Sequence, residues 1–412
     1  MSATAAGPPG VRIGDETVPW PVGNGSPADG GTPDVVARAA AALGHGTAAA
    51  LGTGTAGPGT VGPAGLSLVQ QVGRSFQDAY PDVRVLADHG RHLLVRTGEL
   101  PPGVGEGEGL HWRVLPLEPG AVVVDRPAPQ RRRWAPGTGE LLDTLSERDY
   151  TDWLERLTAP HTRHSLRPGF TETAATAGAA LAALGYDVAH EDITVGPVGR
   201  SENVVAHRHG TGPSPRRLVV LTAHLDSVNH ADGPDGAAPG ADDNASGAAG
   251  VLEVGRALAA LDHHHDLRLI LFGGEEQGLH GSRQHVAALA EPVRRRITTV
   301  INLDMVARRN TAAPGVLIEG APVSRALLDD LVAAAATWTD LTVTTSLNPF
   351  ASDHVPFIDA GLPAVLTIED NDRANADVHT ARDVLATLEP ALALKILRMN
   401  LAVLADRLTA PG

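Results

Sequence analysis

The stretch RLVVLTAHLDS at 217–227 decides how this chain folds. Residues 218–223 are an apolar, β-branched-rich run that ends abruptly in His224, Leu225, Asp226 and Ser227. A short run with no polar alternation reads as a strand buried on both faces, the kind found in parallel sheets. The design repeats in LRLILFGGEE at 267–276, and NASGAAGVLEVGRALAAL at 244–261 carries helical spacing between the two. Outward from this unit, strand candidates occur at DVAHEDITV, ENVVAHR, TTVINLD, GVLIEG and PAVLTIE, with further helix candidates at 171–184, 279–290, 322–337 and 390–407. The last is apolar round much of its circumference and is expected to be a buried covering helix. Alternation of this kind predicts an α/β fold from about residue 148 to 412: a mixed, mostly parallel central sheet flanked by helices.

The rest of the chain has a different texture. Residues 1–65 are dominated by Gly, Ala, Pro, Ser and Thr, a composition that buries too little apolar surface to offset ordering entropy, so disorder is expected there. Residues 66–127 read as a small α+β module: a helix at 66–78, then strands around VRVLAD, HLLVRT, WRVLPL and AVVVDR. Residues 128–147, with Arg131, Arg132 and Arg133 between prolines, read as a solvated linker. A module set apart in this way suggests a regulatory or prosegment-like role.

Composition limits the function classes. With 412 residues, 42% hydrophobic and 20% charged, the chain can build a sizeable core. Its formal net charge of -15 argues against nucleic acid or an anionic membrane as partner and favours basic substrates or metal cations. There is no cysteine, so thiolate metal sites and cysteine nucleophiles are excluded. The first residues show no charged segment followed by an apolar one, and no run of 18 apolar residues occurs, so a cytoplasmic, non-membrane protein is expected.

In an open α/β sheet, ligands bind beyond the carboxyl ends of the strands. Polar residues sit there at His224, at Glu275 and Glu276, at Asp304, and at His379 ten residues after PAVLTIED; PGADDNASG adds Asp242 and Asp243 just before a helix. Singly, each fits a helix cap or a satisfied loop residue. Together, two His and three carboxylates without cysteine form a ligand set suited to zinc or a similar divalent ion. The odd carboxylate makes sense if it bridges two ions, ~3.5 to 4 Å apart, that share a water as nucleophile. Glu275, beside Glu276, is then placed to take the water's proton and pass it to the leaving amine, although a charged helix start would also favour such a pair. Asp226 is better placed to orient His224 than to bind metal. Three bland readings complete the survey: His263, His264 and His265 as a solvated helix end, Ser246 as no nucleophile, and Asp353 with His354 as support for the fold.

The ordered series AHLDS, DDNASG, GGEEQGLHGS, NLDM, SDHVPF and HTARD resembles the M28 family of zinc peptidases, over roughly residues 148–412. The resemblance implies two zincs bridged by Asp243, one completed by His224 and Asp304, the other by Glu276 and His379. It implies Glu275 as general base, Asp226 as the partner of His224, and a cis peptide after Asp243. Many aminopeptidases of the family carry a Tyr just before the last His ligand, and here that position is Val378, so the oxyanion must be stabilised by the zinc itself or by another donor. The function implied is metal-assisted release of N-terminal residues from peptides. A glutaminyl cyclase-like acyl transfer and a non-catalytic peptide-binding role are the alternatives.

Overall fold

The computed structural model describes residues 10–21, 65–105 and 111–411. The N-terminal part builds β1 (Val11–Ile13), β2 (Glu16–Val18), β3 (Leu66–Gln71), β4 (Val85–His89), β5 (His92–Arg96), β6 (Trp112–Pro116) and β7 (Val122–Val124). These form an antiparallel sheet in the order β4-β5-β3-β6 and a small ribbon in the order β2-β1-β7. Within residues 10–21, expected to lie in a disordered stretch, Val11–Ile13 and Glu16–Val18 are thus strands, because Val11 and Ile13 reach a core shared with Leu66, Leu68, Leu94, Val123 and Val124. The remainder of that expectation, residues 1–9 and 22–64, lies outside the described residues. The helix expected at 66–78 is also corrected. Leu66–Gln71 is a central strand buried on both faces, and only Ser75–Ala79 is helical.

The C-terminal part adds β8 (Asp187–Val195), β9 (Gly199–Arg208), β10 (Leu218–His224), β11 (Asp266–Phe272), β12 (Ile297–Leu303), β13 (Gly315–Gly320), β14 (Thr342–Ser346) and β15 (Ala364–Glu369). They make one eight-stranded sheet in the order β14-β13-β15-β12-β10-β11-β9-β8. Its centre, β15-β12-β10-β11, is parallel throughout, while β9, β8 and the β13–β15 pairing are antiparallel. All seven residues of β10 are buried, as its unbroken apolar run predicts. Helices Glu147–Thr158, Pro168–Ala183, Gly247–Ala259, Arg325–Trp338 and Pro390–Thr409 cover one face in a single apolar cluster. Helices His280–Ala288 and His354–Asp359 cover the other through Val286 and Phe357. Twelve of the twenty residues of Pro390–Thr409 are buried, as expected from its composition. At roughly 1.5–3 kcal/mol for each large apolar side chain, this helix is a main source of stability.

Two further expectations are corrected. The 128–147 stretch is not a free linker: Arg132 pairs with Asp330 (3.4 Å) and Asp406 (2.9 Å), and Trp134 Nε1 donates to Thr337 Oγ1 at 3.2 Å, strapping it to the covering helices. His263 and His265 are not solvated. Both are buried, because Nδ1 of His263 contacts the His265 carbonyl and the backbone of His264 and His265 donates to Leu408 at the end of the last helix.

The two parts are joined edge to edge and side to side. Asp125 and Thr345 exchange both backbone hydrogen bonds, at 2.8 and 2.9 Å, so the ribbon covers the β14 edge. Gln70, Arg113 and Arg91 donate to the carbonyls of Asn348 (2.6 Å), Pro349 (2.7 Å) and Phe350 (3.0 Å), gripping that loop from the N-terminal side.

Candidate metal centre

The parallel strands β10, β11, β12 and β15 end at one edge, and the chemistry-bearing residues sit there. His224 is the last residue of β10; Glu275 and Glu276 follow β11 across Gly273 and Gly274, the latter at φ 66°, where glycine turns without penalty. Asp304 follows β12 directly, and His379 lies in the loop after β15. Asp243 enters from the Ala241–Ser246 turn, where the Asp243–Asn244 peptide is cis as the family resemblance implies.

The side chains converge. Asp243 lies between the two imidazoles: its Oδ1 is 3.2 Å from His224 Nε2 and its Oδ2 is 3.0 Å from His379 Nε2. His224 Nε2 is also 3.3 Å from Asp304 Oδ1, and His379 Nε2 is 2.9 Å from Glu276 Oε2. Glu275 stands further back, with Oε2 4.0 Å from His224 Nε2. Ligand atoms of His224, Glu275 and Asp304, and of His224, Asp243 and Glu276, lie within 4.8 Å of one another. A third such set, His207, His209 and Asp266, is an ion-pair network, since Asp266 already accepts from Gly210 N–H (2.9 Å), Arg216 (2.6 Å) and Arg296.

The cluster is built to hold positive charge at its middle. Burial alone would depress the His224 imidazole, but Glu275 and Asp304 lift it well above its ordinary value; Glu276 and Asp243 do the same for His379. Burial would raise Asp243, yet hydrogen bonds from both imidazoles hold its carboxyl far below the carboxylate range. Glu276 is pushed up to about 7 by burial and, against the pull of His379, by Asp243. Its Oε1 is buried with no hydrogen-bond partner. Imidazole nitrogens, carboxylate oxygens and an orphaned acceptor fit divalent cations with mixed nitrogen and oxygen preference.

Surrounding groups fix this arrangement. Asp226 accepts from the N–H groups of Glu275 (3.2 Å) and Glu276 (3.3 Å), and its Oδ1 is 3.6 Å from His224 Nδ1. Asp383, which the sequence reading passed over although it closes the HTARD motif, accepts from Asp242 and Asp243 N–H at 2.9 and 3.0 Å. Ser352 donates to Asp304 Oδ2 at 2.6 Å and accepts from Asn302 (2.8 Å), which accepts from Thr222 (2.7 Å). The fully buried Arg163 donates to the carbonyls of Leu225, Pro239 and Gly240, pinning the loops that carry Asp226 and Asp243. Asn244 donates to Leu303 O (2.9 Å) and accepts from Gly247 (2.8 Å) and Met305 N–H (3.2 Å). A Cβ on Gly247 would meet Asn244 Oδ1 and Leu303 O at 2.4 Å. Gly247→Ala is therefore expected to cost about 1–3 kcal/mol, read as a lower denaturant midpoint; an unchanged midpoint would show that Asn244 can yield.

The five candidate ligands and Glu275 line a cleft of about 800 Å³. Val378 packs on its apolar wall with Met305, Leu366 and Ile368 and offers no hydroxyl. Asp353 and His354 are fully buried; His354 pairs with Glu319 at 3.3 Å, which supports the fold as expected, while burial pushes Asp353 up to about 7. The N-terminal part lines the cleft as well, through Val72, Gly73, Arg91 and His111, none of which the sequence marks as a site residue. Four lining residues other than glycine, Leu279, Met305, Ala351 and His379, adopt positive φ, a clustering of backbone outliers characteristic of functional sites.

The profile of Peptidase family M28 matches residues 203–404. Over this region the chain resembles peptidase family M28. Aminopeptidase YwaD of Bacillus subtilis is 31% identical over 39% of the chain and 34% of its own length. A probable leucine aminopeptidase of Trichophyton verrucosum is 31% identical over 45% of the chain and 51% of its own length. The chain thus spans about a third to a half of these curated relatives. Among solved structures, BSAP, a zinc aminopeptidase from Bacillus subtilis, superposes with a TM-score of 0.58 at 16% identity, over 64% of this chain and 96% of its own. The Legionella pneumophila LapA aminopeptidase superposes at 0.59 and 17% identity, over 85% of this chain and all of its own. At such identities the likeness establishes the α/β fold.

Proposed function

We propose that this M28-like chain is a two-zinc aminopeptidase that removes N-terminal residues from peptides. The observation that carries the reading is the Asp243 carboxylate set between His224 and His379, one oxygen toward each imidazole. His224, Asp304 and one oxygen of Asp243 would hold one ion, and Glu276, His379 and the other oxygen would hold the second. When bound, such a pair of cations lowers the pKa of a shared water and polarises the scissile carbonyl. The chain's own groups do the rest. Glu275 accepts the proton of the attacking water and returns it to the departing amine, while Asp226 holds the Glu275–Glu276 turn and the His224 ring in register. Val72, Gly73, Arg91 and His111 add side chains of the N-terminal part to the cleft that would receive the peptide.

Zinc content by mass spectrometry, measured alongside hydrolysis of a panel of aminoacyl-anilides, tests this. About two zincs per chain with release of the N-terminal residue is expected; one zinc, or metal without hydrolysis, would turn the reading toward acyl transfer or peptide binding. Asp226→Asn is expected to weaken zinc about 10- to 100-fold in competition with a chromophoric chelator. Unaltered affinity would mean that the turn needs no such anchor.

A further inference from the structure

Hydrolysis of a peptide bond places negative charge on the carbonyl oxygen, and a protein usually meets that charge with a positioned hydrogen-bond donor. Apart from His224 and His379, the side-chain donors on the described cleft wall are Arg91, His111 and His230. Arg91 is buried and turned to the seam, its Nη2 donating to the Phe350 and Ala351 carbonyls at 3.0 and 3.4 Å and its Nε facing Glu319 at 3.9 Å, although its Nη1 has no hydrogen-bond partner. His230 is exposed, and its ring packs edge-on against His379 with centroids 4.4 Å apart. Its N–H donates to the His379 carbonyl at 3.2 Å, so backbone and ring are both tied to the centre. His111, from the N-terminal part, packs edge-on against His230 at 5.6 Å. No described residue hydrogen-bonds a ring nitrogen of His230, so its ring N–H is free for a ligand.

We infer that His230 is a catalytic residue that donates a hydrogen bond to the scissile carbonyl oxygen, and that His111 is a positioning residue that holds the His230 ring. This deepens the aminopeptidase reading and rests on it. As the water oxygen bonds to the carbonyl carbon, the C=O π pair moves onto oxygen, and the His230 N–H approaches that oxygen while keeping its proton. Collapse restores the C=O bond, breaks the C–N bond, and the amine leaves with the proton carried by Glu275. His230 thus acts on the charge, not on the proton count. It also makes the N-terminal part a contributor to turnover, since His111 belongs to it.

The test compares His230→Phe, which keeps the ring packing without a donor, and His230→Gln, which keeps a donor without the ring. Calorimetry measures binding of the α-aminophosphonate analogue of leucine, whose tetrahedral oxygens resemble the charged state, and of leucine itself; kinetics use the leucyl anilide. His230→Phe is expected to lose about 100-fold in analogue affinity and in kcat, with leucine affinity, KM and zinc content little changed. His230→Gln is expected to recover part of the loss. Equal losses for analogue and leucine, or none for either, would overturn the assignment. His111→Leu should lower kcat in the same direction but less; a greater loss than in His230→Phe would move the donor to His111 and refute the role given to His230. A wild-type protein with zinc that binds neither ligand would overturn the aminopeptidase reading itself, a result separable from failure of the His230 variants alone.

Discussion

Glu275→Gln is expected to lower kcat on aminoacyl-anilides roughly 10²- to 10⁴-fold while leaving zinc content unchanged. The expectation rests on how the turn divides its two carboxylates. Glu276 reaches His379 at 2.9 Å, within the ligand cluster, whereas the nearest imidazole to Glu275 is His224 at 4.0 Å. The turn cannot swap them easily. Asp226 accepts from both backbone N–H groups, and the Glu275 carbonyl accepts from the N–H groups of Gly278 and Leu279, each at 2.8 Å. Burial pushes the Glu275 carboxyl well above its ordinary value; His224 opposes this, and Asp353, Asp304 and Glu276 reinforce it. A carboxyl that welcomes a proton is suited to take one from water and return it to an amine. The amide of Gln has the same shape and cannot accept the proton. Because Glu275 also groups with His224 and Asp304, the rival is a ligand role. Loss of zinc in proportion to loss of rate would establish that rival and leave the base unassigned.

The candidate ligands were legible because the sheet exposes them to a simple rule. His224 and Asp304 follow directly on apolar runs and Glu276 lies four residues past the end of a third, and such runs end at the edge where an α/β sheet binds ligands. Asp383 was within reach, since it closes a motif already noted, but an acidic residue four positions after a His has no distinct signal of its own. Arg91, His111 and His230 carry no local pattern. Arg91 meets Phe350 across 259 positions and only docking of the two parts brings them together. The helix expected at 66–78 failed for a different reason. Apolar residues at 66, 68, 69, 72 and 76 satisfy both periods, and burial of Leu66–Gln71 on both faces removes the alternation that marks a half-exposed strand. Likewise Val11–Ile13 sits in a Gly- and Pro-rich neighbourhood, where composition averages hide a three-residue strand of which Arg12 and Ile13 find partners in β7.

Glu319→Gln is expected to destabilise the protein by about 3 kcal/mol, because it removes the anionic centre of the seam between the two parts. Glu319 is fully buried at the end of β13 and faces Arg91 Nε (3.9 Å) and His92 Nε2 (3.4 Å) from one side, and His354 Nε2 (3.3 Å) and the Phe350 N–H (2.8 Å) from the other. Removing its charge strands the Arg91 guanidinium, which is itself buried. The loop it braces, 348–351, leads into Ser352, which holds Asp304, so loosened zinc should accompany lost stability. Replacing both partners, as Arg91→Met with Glu319→Leu, should cost less than either change alone, since an apolar pair strands no charge. The dependence on pH gives an independent check. Burial would raise the Glu319 carboxyl, but Arg91, then His354 and His92, hold it at about 2 against an ordinary 4.5. A carboxyl lowered in the folded state contributes its full stabilisation above its unfolded value and loses it as pH falls through the folded one. The wild type's advantage over Glu319→Gln, measured by denaturant unfolding, should therefore be level above pH 4.5 and shrink toward pH 2. An advantage that grew on acidification would mean that Glu319 is held as the neutral acid, and that Arg91 owes its place to the Phe350 and Ala351 carbonyls instead.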